Sequence, residues 1–301
     1  MISNLLARLI SSRSRQILLG LPPFPGSNAG LPELRSAFAK KFERTYGIDT
    51  GPEQITITHG AMGAVTSAIA ITCEAGDDVL VPDPGWPNYV SAAMLFKVRP
   101  VAYPLAIENE FQPSLKDIEA CVTPKCKAII LCSPSNPTGQ VYSAEITRQL
   151  VELARKHDLF VISDEVYADI IFEGSHCSAA EFDTDERVLV ANGVSKSYSM
   201  TGFRVGYLRA GAAISTLAAK VQEPLITCGT ASSQYAALEA VTGPQDCVRQ
   251  MVDEYRERRP LVADCMEEHG QSPYPPRGAG AHTLAVSRSG LGGHDIAVDL
   301  L

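Results

Sequence analysis

Apolar residues gather in short runs through the middle of the chain, and helical patterns separate those runs. The runs at residues 79–82, 128–132, 159–163, 188–191 and 204–209 are rich in Val, Ile and Leu, and most lack polar alternation. Strands buried on both faces of a parallel sheet read this way. Between them, residues 61–72 and 143–157 carry helical patterns. The alternation predicts an α/β fold, with a mostly parallel sheet and helices on both faces. In such a sheet a ligand sits beyond the carboxyl ends of the strands, so the chemistry should follow the strands in sequence.

The pattern changes after Gln234. Helices are predicted at 232–241 and, highly charged, at 246–268, followed by a stretch rich in Pro and Gly at 272–280. A boundary near Gly243 and Pro244 divides the chain into an N-terminal segment (1–29), a large domain (30–244) and the start of a small C-terminal α/β domain (245–301). The first 21 residues hold Arg8, Arg13 and Arg15 with Ser3, Ser11, Ser12 and Ser14, and no acid precedes Glu33. They read as an amphipathic helix, with a mitochondrial transit peptide as the alternative.

Composition narrows the function classes. The 301 residues are 45% hydrophobic, ample for a large core. Twenty-six basic against 34 acidic residues give a net charge of −8. The basic residues are scattered, which argues against nucleic acid and anionic membrane as partners. No apolar run is long enough to span a bilayer. The eight cysteines show no C-x-x-C spacing, and several lie in apolar runs. They read as reduced core residues of a cytoplasmic protein. The six histidines form no H-x-x-x-H cluster, so no metal site is expected.

Five segments follow the strands. Lys196 stands just after the run 188–191, among small hydroxyl residues. A partly desolvated amine there suits attack on a carbonyl carbon. Ser195 and Arg204 beside it offer donors suited to a phosphate. The run 160–163 delivers Asp164, followed by Tyr167. Taken alone, Asp164 also reads as a helix N-cap with Glu165 in the first turn. Residues 133–139, containing Asn136, carry turn residues after the run 128–132. Residues 59–64 open a helix with small side chains, leaving amides near Ala61 and Met62 free for an anion. Trp86, the only tryptophan, follows the run 79–82 and suits either stacking on a flat ring or the core.

The segment S-K-S-Y-S-M-T-G-F-R-V-G-Y at 195–207 closely resembles the cofactor-lysine signature of class I/II aminotransferases, which are fold type I pyridoxal-phosphate enzymes. The segments D-E-V-Y at 164–167 and N-P-T-G at 136–139 resemble two further motifs of that family, in the family's order. The resemblance is strongest to the aspartate and aromatic aminotransferases. It implies the large domain of the pyridoxal-phosphate-dependent transferase fold, with pyridoxal 5'-phosphate as cofactor. Lys196 would carry the cofactor as a Schiff base and, once freed, act as the base that moves the substrate's alpha proton. Asp164 would keep the ring nitrogen protonated. Tyr167 and Asn136 would contact the phenolate oxygen, and Asn136 also the substrate carboxylate. Trp86 would stack on the ring. Amides near Ala61 and Met62, with Ser195 and Arg204, would hold the phosphate, although a hydroxyl residue often stands at the Met62 position. The implied reaction moves an amino group between an amino acid and a 2-oxo acid such as 2-oxoglutarate. The implied assembly is a homodimer with sites between subunits.

The resemblance covers roughly residues 30–259, and both ends depart from the pattern. Pro25, beside Phe24, stands where the family has a tyrosine that reaches the neighbouring subunit's phosphate. Gly280 and Ala281 stand where it often has two aromatics. The arginine that clamps the substrate carboxylate in the family has no counterpart up to Leu301, since Arg277 and Arg288 come too early. Such a fork orients the reacting bond, so weak turnover is expected without it. Two further readings therefore stand beside the active aminotransferase: a degenerate or truncated member that binds cofactor without turnover, and a pyridoxal-phosphate-dependent lyase.

Overall fold

A computed structural model describes residues 27–268, 273–281 and 283–284. The N-terminal segment up to residue 26, with Phe24 and Pro25, lies outside the described residues, as does Arg288. The expectations of an amphipathic helix or transit peptide concern those residues alone.

Seven strands form one sheet: β1 Ile55–His59, β2 Asp78–Asp83, β3 Arg99–Pro104, β4 Cys126–Cys132, β5 Phe160–Asp164, β6 Val188–Gly193 and β7 Val205–Arg209. Their spatial order is β1-β7-β6-β5-β4-β2-β3. β7 runs antiparallel to β6 and β1, and the other neighbours are parallel. The helices are α1 Pro32–Tyr46, α2 Gly60–Thr72, α3 Asn88–Leu95, α4 Leu115–Cys121, α5 Ala144–Lys156, α6 Ala212–Ile226, α7 Ala231–Thr242 and α8 Asp246–Glu268. A short pair, β8 Pro273–Tyr274 and β9 Thr283–Leu284, follows α8.

The strands lack polar alternation because both faces are covered. In β4, Ala128, Ile130 and Cys132 join a core with Ala64, Val65 and Ala68 of α2. The intervening Ile129 and Leu131 join the opposite core, with Leu150, Val151 and Ala154 of α5. The same alternation separates Leu189 and Ala191 from Val188 and Val190 in β6. A third cluster packs Leu34 and Phe38 of α1, and Ala237 and Val241 of α7, over Ile55, Ile57, Val205 and Tyr207.

Local chemistry sets the helix ends. Ser143 caps α5 by accepting from the Ile146 N–H at 3.2 Å, and Arg155 and Lys156 occupy its last turn. Pro32 opens α1, and Gly47, at φ 69°, closes it in the left-handed region.

One expectation is corrected, and one alternative reading falls away. Arg204 is not part of a strand: β7 begins at Val205, and Arg204 sits at φ 55° in the turn before it. Asp164 caps no helix, because residues 166–169 form turns and not a helix. Its Oδ1 accepts instead from the Val166 N–H at 3.2 Å, a local side-chain turn. The cysteines also divide: Cys73, Cys126 and Cys132 are buried, whereas Cys265 is exposed on α8. No helix among the described residues is long and apolar enough to cross a membrane.

Candidate active site

The carboxyl ends of β2, β4, β5 and β6 lie at one edge of the sheet, and each leads into a segment singled out above. β7 is antiparallel to β6, so it starts at that same edge and brings Arg204 there. β1 is antiparallel to β7 in turn, so it ends there and feeds His59 into the start of α2. The topology thus gathers five chain segments that are far apart in sequence, the connection from β6 to β7 supplying both Lys196 and Arg204.

A cavity of about 230 Å³ opens at this edge. It is lined by Ala61, Met62, Trp86, Asn136, Asp164, Tyr167, Ser195, Lys196 and Arg204, all nine of the residues chosen from sequence. It shares Asn136, Tyr167, Ser195, Lys196 and Thr201 of its lining with an outer cavity of about 790 Å³. Arg258, Arg259, Pro276, Ala279, Gly280 and Ala281 help form the outer walls.

Lys196 is half-buried, in a turn braced by backbone bonds from Val194 N–H to Val205 O (3.2 Å) and from Tyr198 N–H to Val194 O (3.3 Å). Its Nζ lies 5.4 Å from the centre of the Tyr167 ring. Asn136 Nδ2 reaches the Tyr167 hydroxyl at 3.5 Å, the limit of a hydrogen bond. Burial pushes the Tyr167 phenol up, so it stays a neutral donor at neutral pH.

Asp164 ends β5 and is 5% exposed. Burial pushes its carboxyl above the ordinary range, and hydrogen bonds from Tyr89 and Val166 oppose that rise. The Tyr89 hydroxyl donates to Oδ2 at 2.7 Å. An ionised carboxylate has about four acceptor positions, so two such donors leave capacity for a third facing the cavity.

Arg204 is exposed at the cavity mouth and donates to Thr201 O at 3.0 Å. Its guanidinium lies directly against Gly60, at the first residue of α2, where any Cβ would overlap it. A cation thus stands beside the unpaired N–H groups of a helix start, an arrangement that favours a multiply charged anion.

The sequence profile of the family described as Aminotransferase class I and II matches residues 24–288. The chain belongs to this family. A putative aminotransferase of Bacillus subtilis, YugH, is 33% identical over 277 residues, covering 91% of this chain and 72% of the relative. The aspartate aminotransferase of Thermotoga maritima is 35% identical, covering 83% of this chain and 66% of the relative. The chain therefore spans about two thirds of the length of several such relatives, and 72% of YugH. Among solved structures, the aromatic aminotransferase of Pyrococcus horikoshii superposes with a TM-score of 0.92 at 33% identity, covering 96% of this chain and 79% of that one. The sheet order and the mostly parallel strands belong to that fold.

Further residues lining the inner cavity lie outside the sequence candidates. Tyr89 and Cys132 line the inner cavity, and both are buried against Asp164. Tyr89 follows Trp86 by three residues, so its presence beside the site was legible, but its partner across 75 positions was not. Arg277, too early in the chain to match the family's substrate clamp, pairs with Glu110 at 2.9 Å. Arg259 lines the outer cavity and pairs with Glu173 at 2.5 Å.

Proposed function

We propose that the chain binds pyridoxal 5'-phosphate through Lys196 and moves an amino group between an amino acid and a 2-oxo acid. The observation that carries the reading is one cavity holding a half-buried lysine, a buried carboxylate with spare acceptor capacity, and an arginine at a helix start. These groups fit a phosphorylated pyridine aldehyde at its three distinctive points. When bound, that cofactor supplies an electron sink beside the reacting carbon. Lys196 Nζ attaches it and, once displaced by the substrate amine, takes the proton from the substrate's α-carbon. Asp164 holds a proton on the ring nitrogen by charge pairing. Tyr167 and Asn136 donate to the phenolate oxygen, and Asn136 also orients the substrate carboxylate. Trp86, in the cavity wall, would offer its indole for stacking on the ring. Ser195, Arg204 and the amides of Ala61 and Met62 anchor the phosphate.

The relatives named for aspartate and for aromatic amino acids point to a donor of one of those kinds, and the motif resemblance supplies 2-oxoglutarate as the proposed acceptor. We read residues 30–244 as the cofactor-binding domain and α8 as the entry to a second, small domain. A second copy of the chain is the partner proposed for assembly, and the buried thiols of Cys73, Cys126 and Cys132 suit a reducing compartment such as the cytoplasm.

Visible spectroscopy tests the proposal. Pyridoxal phosphate added to the purified chain should produce a visible absorption band from its lysine adduct, and Lys196→Ala should lack it. Aspartate or an aromatic amino acid with 2-oxoglutarate should then yield glutamate. No Lys196-dependent band overturns the reading. A band without amino transfer reduces it to cofactor binding, and release of pyruvate and ammonia assigns a lyase.

A further inference from the structure

We infer that Tyr89 is a positioning residue for Asp164, its hydroxyl fixing the carboxylate as a charged acceptor that faces the cavity. The inference rests on the proposed function for the identity of what Asp164 meets there. The contact itself does not depend on that identity.

Tyr89 is the second residue of α3 and only 1% exposed. Its backbone N–H donates to Trp86 O at 3.1 Å. One turn of chain therefore sets both Trp86, in the cavity wall, and the hydroxyl that reaches Asp164 Oδ2 at 2.7 Å. The Val166 N–H takes Oδ1 at 3.2 Å from the other side. The carboxylate is held at both oxygens, by groups on two separate elements, and cannot rotate without losing one of them.

The hydroxyl also acts on charge. Burial raises the Asp164 carboxyl, and the Tyr89 hydrogen bond is the leading influence that lowers it, ahead of the Val166 N–H. Neighbouring Glu165 adds to the rise, and Lys196, across the cavity, opposes it. Cys132 on β4 and Tyr167 are the other titratable groups facing the carboxyl, and burial pushes the Cys132 thiol up to about 12. The Tyr89 phenol is itself pushed well above its ordinary value, first by burial and then by Asp164, so it remains a neutral donor. Without the hydroxyl, the Val166 N–H is the remaining donor found for Asp164 among the described residues. A protonated Asp164 could no longer hold a positive ring nitrogen by charge.

Tyr89→Phe removes the hydroxyl and keeps the ring that packs in the core. Tyr103→Phe is the matched control: another fully buried tyrosine, donating to Ile130 O at 2.8 Å and not to Asp164. The chain without cofactor, carrying carboxyl-13C aspartate, would be titrated by NMR, with Asp164→Asn assigning the resonance. Tyr89→Phe should raise the Asp164 pKa by about one unit, the scale of one hydrogen bond to a charged group. Tyr103→Phe should leave it in place. Affinity for pyridoxal phosphate, measured by equilibrium dialysis across pH, should then begin to fall at a pH higher by the same amount in Tyr89→Phe. An unmoved Asp164 titration in Tyr89→Phe overturns the inference. A moved titration with an unmoved onset of binding overturns the positioning role and leaves only a structural contact. A wild-type chain that binds no pyridoxal phosphate sinks the functional reading, while the NMR titration still decides the contact.

Discussion

Two glycines decide how close Arg204 and the start of α2, the groups proposed to hold the phosphate, stand to each other. Gly60 has φ 73°, in the left-handed region, and the Arg204 guanidinium fills the space its side chain would need. Gly206, in β7, packs against the backbone of Gly60 and Ala61, where a Cβ would overlap main-chain atoms. The consequences of substitution differ because the obstacles differ. A flexible arginine can swing aside, whereas a helix start cannot move without disturbing β7. Gly60→Ala is expected to cost about 1 kcal/mol of stability for its backbone conformation and to displace Arg204. Weaker affinity for pyridoxal phosphate with a nearly unchanged melting temperature would be its signature. Gly206→Ala should instead cost about 2–3 kcal/mol through overpacking and lower the melting temperature visibly. Denaturant titration alongside dialysis would separate the two. Equal losses of stability would show that Arg204 is as rigid as the backbone.

The elements that place the site differ in how clearly the sequence announces them. β2, β4, β5 and β6 were legible because burial on both faces leaves near-continuous apolar runs. β1 was not, because Thr56 and Thr58 alternate with Ile55 and Ile57 and mimic a half-exposed segment. Both threonines are in fact buried, their hydroxyls donating to Ser215 O at 3.0 Å and Gly60 O at 2.9 Å. β3 was hidden by Pro100 and Pro104, tolerated because it is an edge strand. Motif resemblance found the cavity residues, but the supports beneath them join elements distant in sequence. Lys41 of α1 donates to Asp169 Oδ2 at 2.7 Å and to the Tyr198 hydroxyl at 3.3 Å. Tyr198 in turn donates to Gln245 at 2.7 Å, just before α8. The Lys196 turn is thus tied to two helices. Burial would push the Lys41 amine down, but Asp169 and Tyr198 outweigh it and hold the amine above its ordinary range. Burial would likewise push Asp169 up, but Lys41, helped by Ser197 and His176, outweighs it and holds the carboxyl low. The raised lysine adds stability that is present below about pH 10 and lost as pH rises further; the lowered carboxyl adds stability present above about pH 4 and lost as pH falls further. Lys41→Met should therefore destabilise the fold between those limits by about 2 kcal/mol. That is less than for a fully buried pair, since the side chains keep 19% and 28% exposure. A deficit in urea unfolding that is as large at pH 3 as at pH 7 would show that lost packing, not charge, is responsible.

At the scale of the whole molecule, the chain returns after α8 to close on the edge where the site lies. Both Arg277 and Gly278 donate backbone N–H groups to Gly139 O, at 2.8 and 3.0 Å. Arg277 O accepts from Phe172 and Glu173 at 2.8 and 3.1 Å, and the Ala279 N–H donates to Ile170 O at 3.0 Å. One short strap therefore bonds both the loop that carries Asn136 and the segment that follows Tyr167. It also forms part of the outer cavity wall, through Pro276, Ala279, Gly280 and Ala281. Gly139 is where this closure is most sensitive, because its φ is 68° and a Cβ there would overlap Pro276. Gly139→Ala should push the strap away at a cost of about 2 kcal/mol, confined to this edge because the sheet core is untouched. Local opening of that kind is read by hydrogen exchange and not by the global melting transition. Amides of residues 170–173 and 277–279 should exchange roughly 30-fold faster in Gly139→Ala, the ratio that corresponds to about 2 kcal/mol, while those of β4, β5 and β6 keep their protection. Unchanged exchange across 277–279 would mean that the strap is held by Tyr274, which meets Gln140 at 2.5 Å, and by the Arg277–Glu110 pair, with Gly139 as a bystander.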